Sequence, residues 1–393
     1  MELETKALKA ALAQARLAVG KHSTMPILRC VKITGNPSEG AWIEATDLEN
    51  SCRILVPGDT FGEAPMLCDL KELSDAMKGA KAPMTDVALV DGKIDISNGF
   101  SVLRRIQPEK ADEYPEPAEL PSARNYVDRV ELFKALTHIM PCMSRDPSRY
   151  NLNGIQVKRH RGGLRLAASD GHRLACDFLP NCEIEGLEHS GGYKKGEIIV
   201  PVGFWNALIP QLKRPHSSRE LRFGLDFKTL VATKDQTSVA CRLIEGEFPN
   251  IAQVVPKDFI PNTMTVSGIE WKTHLENAMP SLKKGKGKYH VVVIEMGGDD
   301  PEECPQISSG DNLPKRHIPV LEIEQGTERI KLGINPSFLL DAIKGMNGGI
   351  VKISVPNPPE PKSGEERKPD VMSPILLTND NSPGFTVVMP CRP

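Results

Sequence analysis

Along this 393-residue chain the same short landmarks return in the same order, one of them three times. Leu8-Lys9-Ala10-Ala11-Leu12 reappears as Leu132-Phe133-Lys134-Ala135-Leu136, and Ala45-Thr46-Asp47 as Ala168-Ser169-Asp170. Leu73-Ser74-Asp75-Ala76-Met77 returns as Phe204-Trp205-Asn206-Ala207-Leu208 and again as Leu339-Leu340-Asp341-Ala342-Ile343. Ser101-Val102 and Arg105-Ile106 match Ser238-Val239 and Arg242-Leu243. Glu113-Tyr114-Pro115 matches Glu247-Phe248-Pro249, each followed by a hydrophobic-Pro pair, Leu120-Pro121 and Val255-Pro256. Each match is weak alone, but the shared order and offsets of 123 to 137 residues are hard to obtain by chance. Self-similarity at a steady period means one supersecondary unit used repeatedly. The chain therefore reads as three tandem domains, 1–123, 124–259 and 260–393, the third the most diverged.

Each copy reads helix, strands, helix, strands. Leu8, Leu12, Ala15 and Val19 share one face of the first helix at 3.6-residue spacing, with Lys9 and Arg16 together on a flank. Runs such as Gly154-Ile155-Gln156-Val157, Leu164-Arg165-Leu166-Ala167 and Glu197-Ile198-Ile199-Val200 are bounded by turn formers and read as short strands. Two helices among many such strands make an α+β fold, helices packed on antiparallel sheets. Pro- and acid-rich linkers fall near 107–123 and 246–262, and the Pro- and charge-rich 355–374 reads as an exposed loop. With 49 Lys+Arg against 51 Asp+Glu the net charge is -2, which excludes a binder held to nucleic acid by bulk charge but not one with a local basic surface. The longest apolar runs, such as Val291-Val292-Val293-Ile294, are strand-sized, so no membrane span is expected. Nine cysteines without a CxxC pair suit a reduced, cytoplasmic protein lacking disulfides, metal or other cofactor.

The search for chemistry is mostly negative: the chain has no Walker A loop, no GxGxxG after a strand, no HExxH and no GxSxG. Asp170-Gly171-His172-Arg173 invites an enzyme reading, with Asp170 orienting His172 as a base. Copy one has Asp47-Leu48-Glu49-Asn50 there, keeping the aspartate and losing the histidine. Both aspartates are better read as turn residues bonding their own backbone. The loop after each first helix is basic: Lys21 and His22 in copy one, Arg145, Arg149 and Tyr150 in copy two, Lys283, Lys284, Lys286 and Lys288 in copy three. Positive charge recurring at one repeat position points to a polyanion followed along its backbone, without base readout.

Arg149-Tyr150-Asn151-Leu152-Asn153-Gly154 and Ala168-Ser169-Asp170-Gly171-His172-Arg173-Leu174-Ala175 strongly resemble the central domain of the bacterial DNA polymerase III beta subunit family, the sliding clamps. Leu243-Ile244-Glu245-Gly246-Glu247-Phe248-Pro249-Asn250 and Val387-Val388-Met389-Pro390-Cys391-Arg392 resemble later landmarks of that family, and Thr24-Met25-Pro26-Ile27-Leu28 and Thr46-Asp47-Leu48-Glu49 its first domain. The resemblance implies three clamp-type domains per chain and a head-to-tail homodimer forming a six-domain ring. Helices would line a hole through which duplex DNA passes, held topologically and without sequence preference. The basic residues named above would face it. The family also implies a peptide groove between the second and third domains, taking short linear motifs from the replicative polymerase, the clamp loader and repair polymerases. Its wall would be Leu152, Ser169, Gly171, His172, Arg173, Leu174, Pro249, Val254, Pro374, Val387, Val388, Met389, Pro390 and Arg392. Phe100 and Val102, facing the third domain near Leu282, would form the subunit contact.

Gln253 stands where many relatives carry Arg, Cys391-Arg392-Pro393 replaces a more usual Met-Arg-Leu, and copy three carries insertions near 297–317 and 356–372. Two rivals remain at this level. A nucleotidyl transferase would need carboxylates placed for two metals, which the sequence lacks. A repeat scaffold that binds peptides without encircling DNA differs only in the basic loops and ring closure.

Overall fold

The structure is a computed structural model that describes residues 1–20, 24–37, 39–61, 64–115, 120–189, 196–213, 219–256, 262–279, 291–296, 306–308, 316–317, 319–324, 330–346, 349–356, 373–380 and 382–391. One element order recurs. Copy one runs β1 (Glu2–Glu4), α1 (Thr5–Ala15), β2 (Cys30–Asn36), β3 (Gly40–Thr46), β4 (Asn50–Asp59), β5 (Met66–Asp69), α2 (Leu70–Lys78), β6 (Met84–Val90), β7 (Lys93–Asn98) and β8 (Ser101–Ile106). Copy two repeats it as β9 (Asn125–Asp128), α3 (Arg129–Ile139), β10 (Gly154–His160), β11 (Gly163–Ser169), β12 (Arg173–Pro180), β13 (Glu197–Pro201), α4 (Val202–Leu212), β14 (Glu220–Leu225), β15 (Thr229–Lys234) and β16 (Thr237–Arg242). A short helix, α5 (Ile251–Val254), precedes copy three. That copy has β17 (Asn262–Ser267), α6 (Gly268–Ala278), β18 (Val292–Met296), β19 (Gln306–Ser308), β20 (Arg316–His317), an added β21 (Glu322–Glu324), β22 (Ile330–Ile334), α7 (Pro336–Gly345), β23 (Ile350–Val355), β24 (Ile375–Asn379) and β25 (Ser382–Val388).

Helix starts are written in the sequence. Asp69 accepts from the Lys71 and Glu72 amides, Asp128 from Val130 and Glu131, Ser267 from Glu270, and Asn335 from Ser337 with Pro336 opening α7. Each cap satisfies amides that the helix leaves without partners, worth about 1 kcal/mol. Leu8, Leu12, Ala15 and Val19 are buried as their spacing requires, although α1 ends at Ala15 and Val19 lies beyond it. Around copy three, Trp271 and Leu275 of α6 and Leu339 and Ile343 of α7 meet Met264, Val266 and Ile353 of the sheet in one core.

By contacts the chain gathers into two units, Met1–Phe133 with Cys182–Gly246 and Lys134–Asn181 with Glu247–Pro393, so the middle copy contributes to both. In the first, an antiparallel sheet runs β8-β7-β6-β1-β4-β16-β15-β14-β9, with β3, β2 and β5 continuing from β4. In the second, one sheet runs β10-β11-β12-β25-β24-β23-β17-β21 and another β20-β19-β18-β22. The units arise because strands of successive copies pair. Asn50–Ile54 of β4 pairs with Thr237–Cys241 of β16, and Arg173–Cys176 of β12 pairs with Phe385–Val388 of β25. The last strand of one copy thus joins the third strand after the first helix of the copy before it.

Candidate functional site

At the second junction the turn between β11 and β12 carries Asp170. Its carboxylate accepts from the His172 and Arg173 amides at 2.9 and 3.0 Å, while the Ser169 hydroxyl donates to the Arg173 carbonyl at 2.8 Å. Copy one makes the same turn. Asp47 Oδ1 accepts from the Glu49 and Asn50 amides at 3.0 and 2.5 Å, and Thr46 Oγ1 donates to the Asn50 carbonyl at 3.0 Å. Gly171 and Leu48 hold the same left-handed corner, at φ 86° and 76°. The repeated aspartate is therefore a turn former, as the sequence comparison implies, and His172 is exposed with its amide held by that turn.

The turn steers the end of the last strand. The Met389 amide donates to the His172 carbonyl at 2.8 Å, and Cys391 then bridges Gly333. Register places Leu174 beside Val387 and Val387 beside Leu376 on one face, and Arg173 beside Val388 and Val388 beside Ile375 on the other. The residues assigned to a peptide wall consequently divide. Gly171, His172 and Pro249 are exposed; Ser169, Val254, Pro374, Met389 and Pro390 are half-buried. Leu152, Leu174 and Val387 are buried and form a floor at most. Val388 belongs in no wall: it is wholly buried in the core of copy three, because strand alternation turns it toward the helices. Arg392 lies outside the described residues.

Arg173 also departs from the expectation of a wall residue. Its guanidinium donates to Asp170 at 3.0 Å, to Asp341 of α7 at 2.7 Å and to the Pro141 carbonyl, and it stacks 4.3 Å above the Phe338 ring. Desolvation opposes its charge, but Cys142, Asp341 and Asp170 outweigh that, so its pKa lies above the ordinary value. It is a brace. Arg149, expected to face DNA, is exposed, yet its Nη1 donates to the Asp170 carbonyl at 2.9 Å. Arg145 and Tyr150 are exposed beside it. Lys21, His22, Leu282, Lys283, Lys284, Lys286 and Lys288 lie outside the described residues.

Sequence reading missed a buried trio: His138 of α3 bonds Asp177 Oδ2 at 3.0 Å through Nδ1 and Thr386 Oγ1 at 2.8 Å through Nε2. The order of groups is that of a hydrolase triad, but Thr386 is fully buried, so no substrate reaches its hydroxyl. The trio fastens α3 and β12 of copy two to β25 of copy three. Its members are too far apart in sequence to form a motif. Burial raises the Cys30 thiol to about 11 and those of Cys52, Cys142, Cys176 and Cys182 to about 12, the condition of inert structural thiols. Among the described residues no group of three His, Cys, Asp or Glu gathers as a metal site, and no helix is long and apolar enough to cross a membrane.

A β-α-β-β-β-β-α-β-β-β unit used three times, with copies sewn together through edge strands, defines a tandem protein of the clamp fold. Residues 126–250 match the family model of the DNA polymerase III beta subunit, central domain. The chain is 23% identical to the beta sliding clamp of Chlamydia pneumoniae, over 95% of this chain and 93% of that one. It is also 23% identical to the beta sliding clamp of Bacillus subtilis strain 168, over 86% and 88%. Its structure overlays the DNA polymerase III beta subunit of Thermotoga maritima with a TM-score of 0.80 at 22% identity, over 100% of this chain and 99% of that chain. The DNA polymerase sliding clamp of Pseudomonas aeruginosa gives 0.81 at 21%, over 100% and 99%. The match to the family model covers residues 126–250, and over nearly its whole length the chain is similar to bacterial beta sliding clamps and shares their fold.

Proposed function

We propose that two chains close head to tail into a ring around duplex DNA and tether the replicative polymerase, the clamp loader and repair polymerases, the chain itself catalysing nothing. The observation that carries this is the pairing rule of the two junctions. In each, the last strand of a copy joins the third strand after the first helix of its predecessor. The rule leaves two ends over among the described strands: β8, last strand of copy one and edge of its sheet, and β20, which holds the β4 position in copy three and edges its sheet. An unpaired strand edge seeks another strand. β8 of one chain against β20 of its partner repeats the junction twice and closes the assembly with twofold symmetry. Phe100 in the turn before β8 and Val102 within it are exposed and support that edge as the contact.

The domains within such a ring are 1–123, 124–259 and 260–393, joined through shared sheets. Arg145, Arg149, Tyr150, Lys21, His22 and the 283–288 lysines are the proposed DNA-facing set, with contacts weak enough to let the ring slide. Partner motifs dock over Leu174 and Val387, between His172, Pro249, Val254, Pro374 and Met389. The pliable Met389 suits several partners. This is cytoplasmic work.

The test is topological. The protein, assembled on nicked circular duplex by a clamp-loading complex, stays bound through gel filtration and is released when one restriction cut linearises the circle. Equal retention on linear and circular DNA would contradict encirclement.

A further inference from the structure

The frame of the second junction is built again at the first, with different side chains on it. The Arg242 amide donates to the Glu49 carbonyl at 2.7 Å where the Met389 amide donates to that of His172 at 2.8 Å. Ile244 bridges Ile199 as Cys391 bridges Gly333. Register then pairs positions one to one: Ser51 stands for Leu174, Ala240 for Val387 and Arg242 for Met389. Pro115 and Leu120 hold the repeat positions of Pro249 and Val255. Where the second junction has leucine, valine and methionine, the first has serine, alanine and arginine. The serine and alanine remove side-chain volume, and beside them lies a cleft of about 490 Å³ lined by Leu48, Ser51, Leu120, Lys228, Ala240 and Arg242, adjoined by one of about 370 Å³ beside Ser51, Tyr114 and Ala240.

We propose that this first-junction cleft is a second docking site, for a short extended segment of a partner protein carrying an acidic side chain next to an apolar one. The apolar half follows from the walls. Ala240 gives a small floor, and Leu48 stands 57% exposed at the rim, on a left-handed corner (φ 76°) that costs a leucine about 1 kcal/mol. Strain retained under an exposed apolar side chain marks a position shaped for contact. The acidic half follows from charge. Lys228 and Arg242 both approach Glu245, but only to 4.0 and 3.9 Å, beyond hydrogen-bond reach. A carboxylate entering the cleft would gain shorter, charge-assisted bonds from them. Arg53 does not recruit it, being held by Glu44 at 3.2 Å and stacked 4.3 Å above Trp42. Glu49, whose carbonyl accepts from the Arg242 amide and which also lines the cleft, adds a negative charge there and disfavours a polyacidic tract. The site goes beyond the proposed clamp function, since nothing in ring closure or in the second groove requires it.

A random heptapeptide phage library panned on the intact protein tests the proposal, with the enriched peptides synthesised and titrated by fluorescence anisotropy. The expected outcome is an enriched class with one acid beside a large apolar residue. Its affinity should fall at least about tenfold in the Lys228→Glu/Arg242→Glu variant, equivalent to ~1.4 kcal/mol, and fall also in Ala240→Leu, which refills the cleft, while Met389→Ala leaves it unchanged. Should Ala240→Leu fail to fold, the exposed charge pair decides alone. A library yielding no such class, or yielding peptides sensitive to Met389→Ala and indifferent to Lys228 and Arg242, overturns the second site. The latter pattern would leave the groove of the second junction intact.

Discussion

Arg173 illustrates how one side chain holds a junction together. It reaches two carboxylates and a carbonyl from three different segments while lying flat on Phe338. Arg173→Met keeps apolar contact with that ring and removes every donor, leaving Asp170, Asp341 and the Pro141 carbonyl to find water. The expected loss is about 2 kcal/mol, below the figure for a fully buried pair because Asp341 is partly solvated, read as a lower urea midpoint at unchanged slope. An unchanged midpoint would remove the brace. Asp95 behaves differently, because it titrates. The hydrogen bond from Arg105, which donates to both its oxygens at 2.5 and 2.6 Å, holds the Asp95 carboxyl below its usual range. A carboxylate with a depressed folded pKa stabilises above its unfolded value, near ~3.9, and loses that contribution as pH falls through the folded value. Acid unfolding below about pH 4 should therefore be shallower in Asp95→Asn than in the parent, measured by circular dichroism. Of these two roles only fragments were legible beforehand. The Asp170 turn could be read because Asp47 repeats it. The partners of Arg173 could not, since Pro141, Phe338 and Asp341 lie 32, 165 and 168 positions away and share no pattern with it.

At the scale of elements, the helices and most strands follow from local physics. Caps at Asp69, Asp128, Ser267 and Asn335 and the apolar spacing of α1 are properties of a few neighbouring residues. Which strand pairs with which is not local. Nothing in Thr237–Cys241 announces Asn50–Ile54 as its neighbour, yet this pairing merges two copies into one sheet. The same limit explains why Val388 reads as groove and is core: alternation along β25 is visible, but its phase is fixed only once β12 and β24 flank it. The strand with most left undone is β8. Val102 within it and Phe100 in the turn before it are exposed, a liability in a lone chain and the contact proposed for a pair. Phe100→Asp with Val102→Lys should therefore leave the melting of the monomer nearly unchanged and shift sedimentation velocity from dimer to monomer. A variant that still sediments as a dimer would move the subunit contact elsewhere.

For the whole molecule, repetition is what made function readable, and divergence is what concealed the rest. Landmarks at near-constant offsets gave three copies, and the same order of helices and strands recurs in each. Counting three copies did not reveal that they share sheets, so that contacts divide the chain in two and not in three. Nor did it reveal that the first junction preserves the backbone of the second while replacing its leucine and valine by Ser51 and Ala240, because those two residues have no motif to carry them. Both findings rest on the rule of last strand to preceding third strand, and the proposed ring closure would be that rule applied once more between chains. Electron microscopy of the purified protein with two-dimensional class averaging tests it most directly. The account expects closed rings of six lobes around a hole wide enough for duplex DNA, and three-lobed open crescents as the prevailing particle at dimer-favouring concentrations would contradict it.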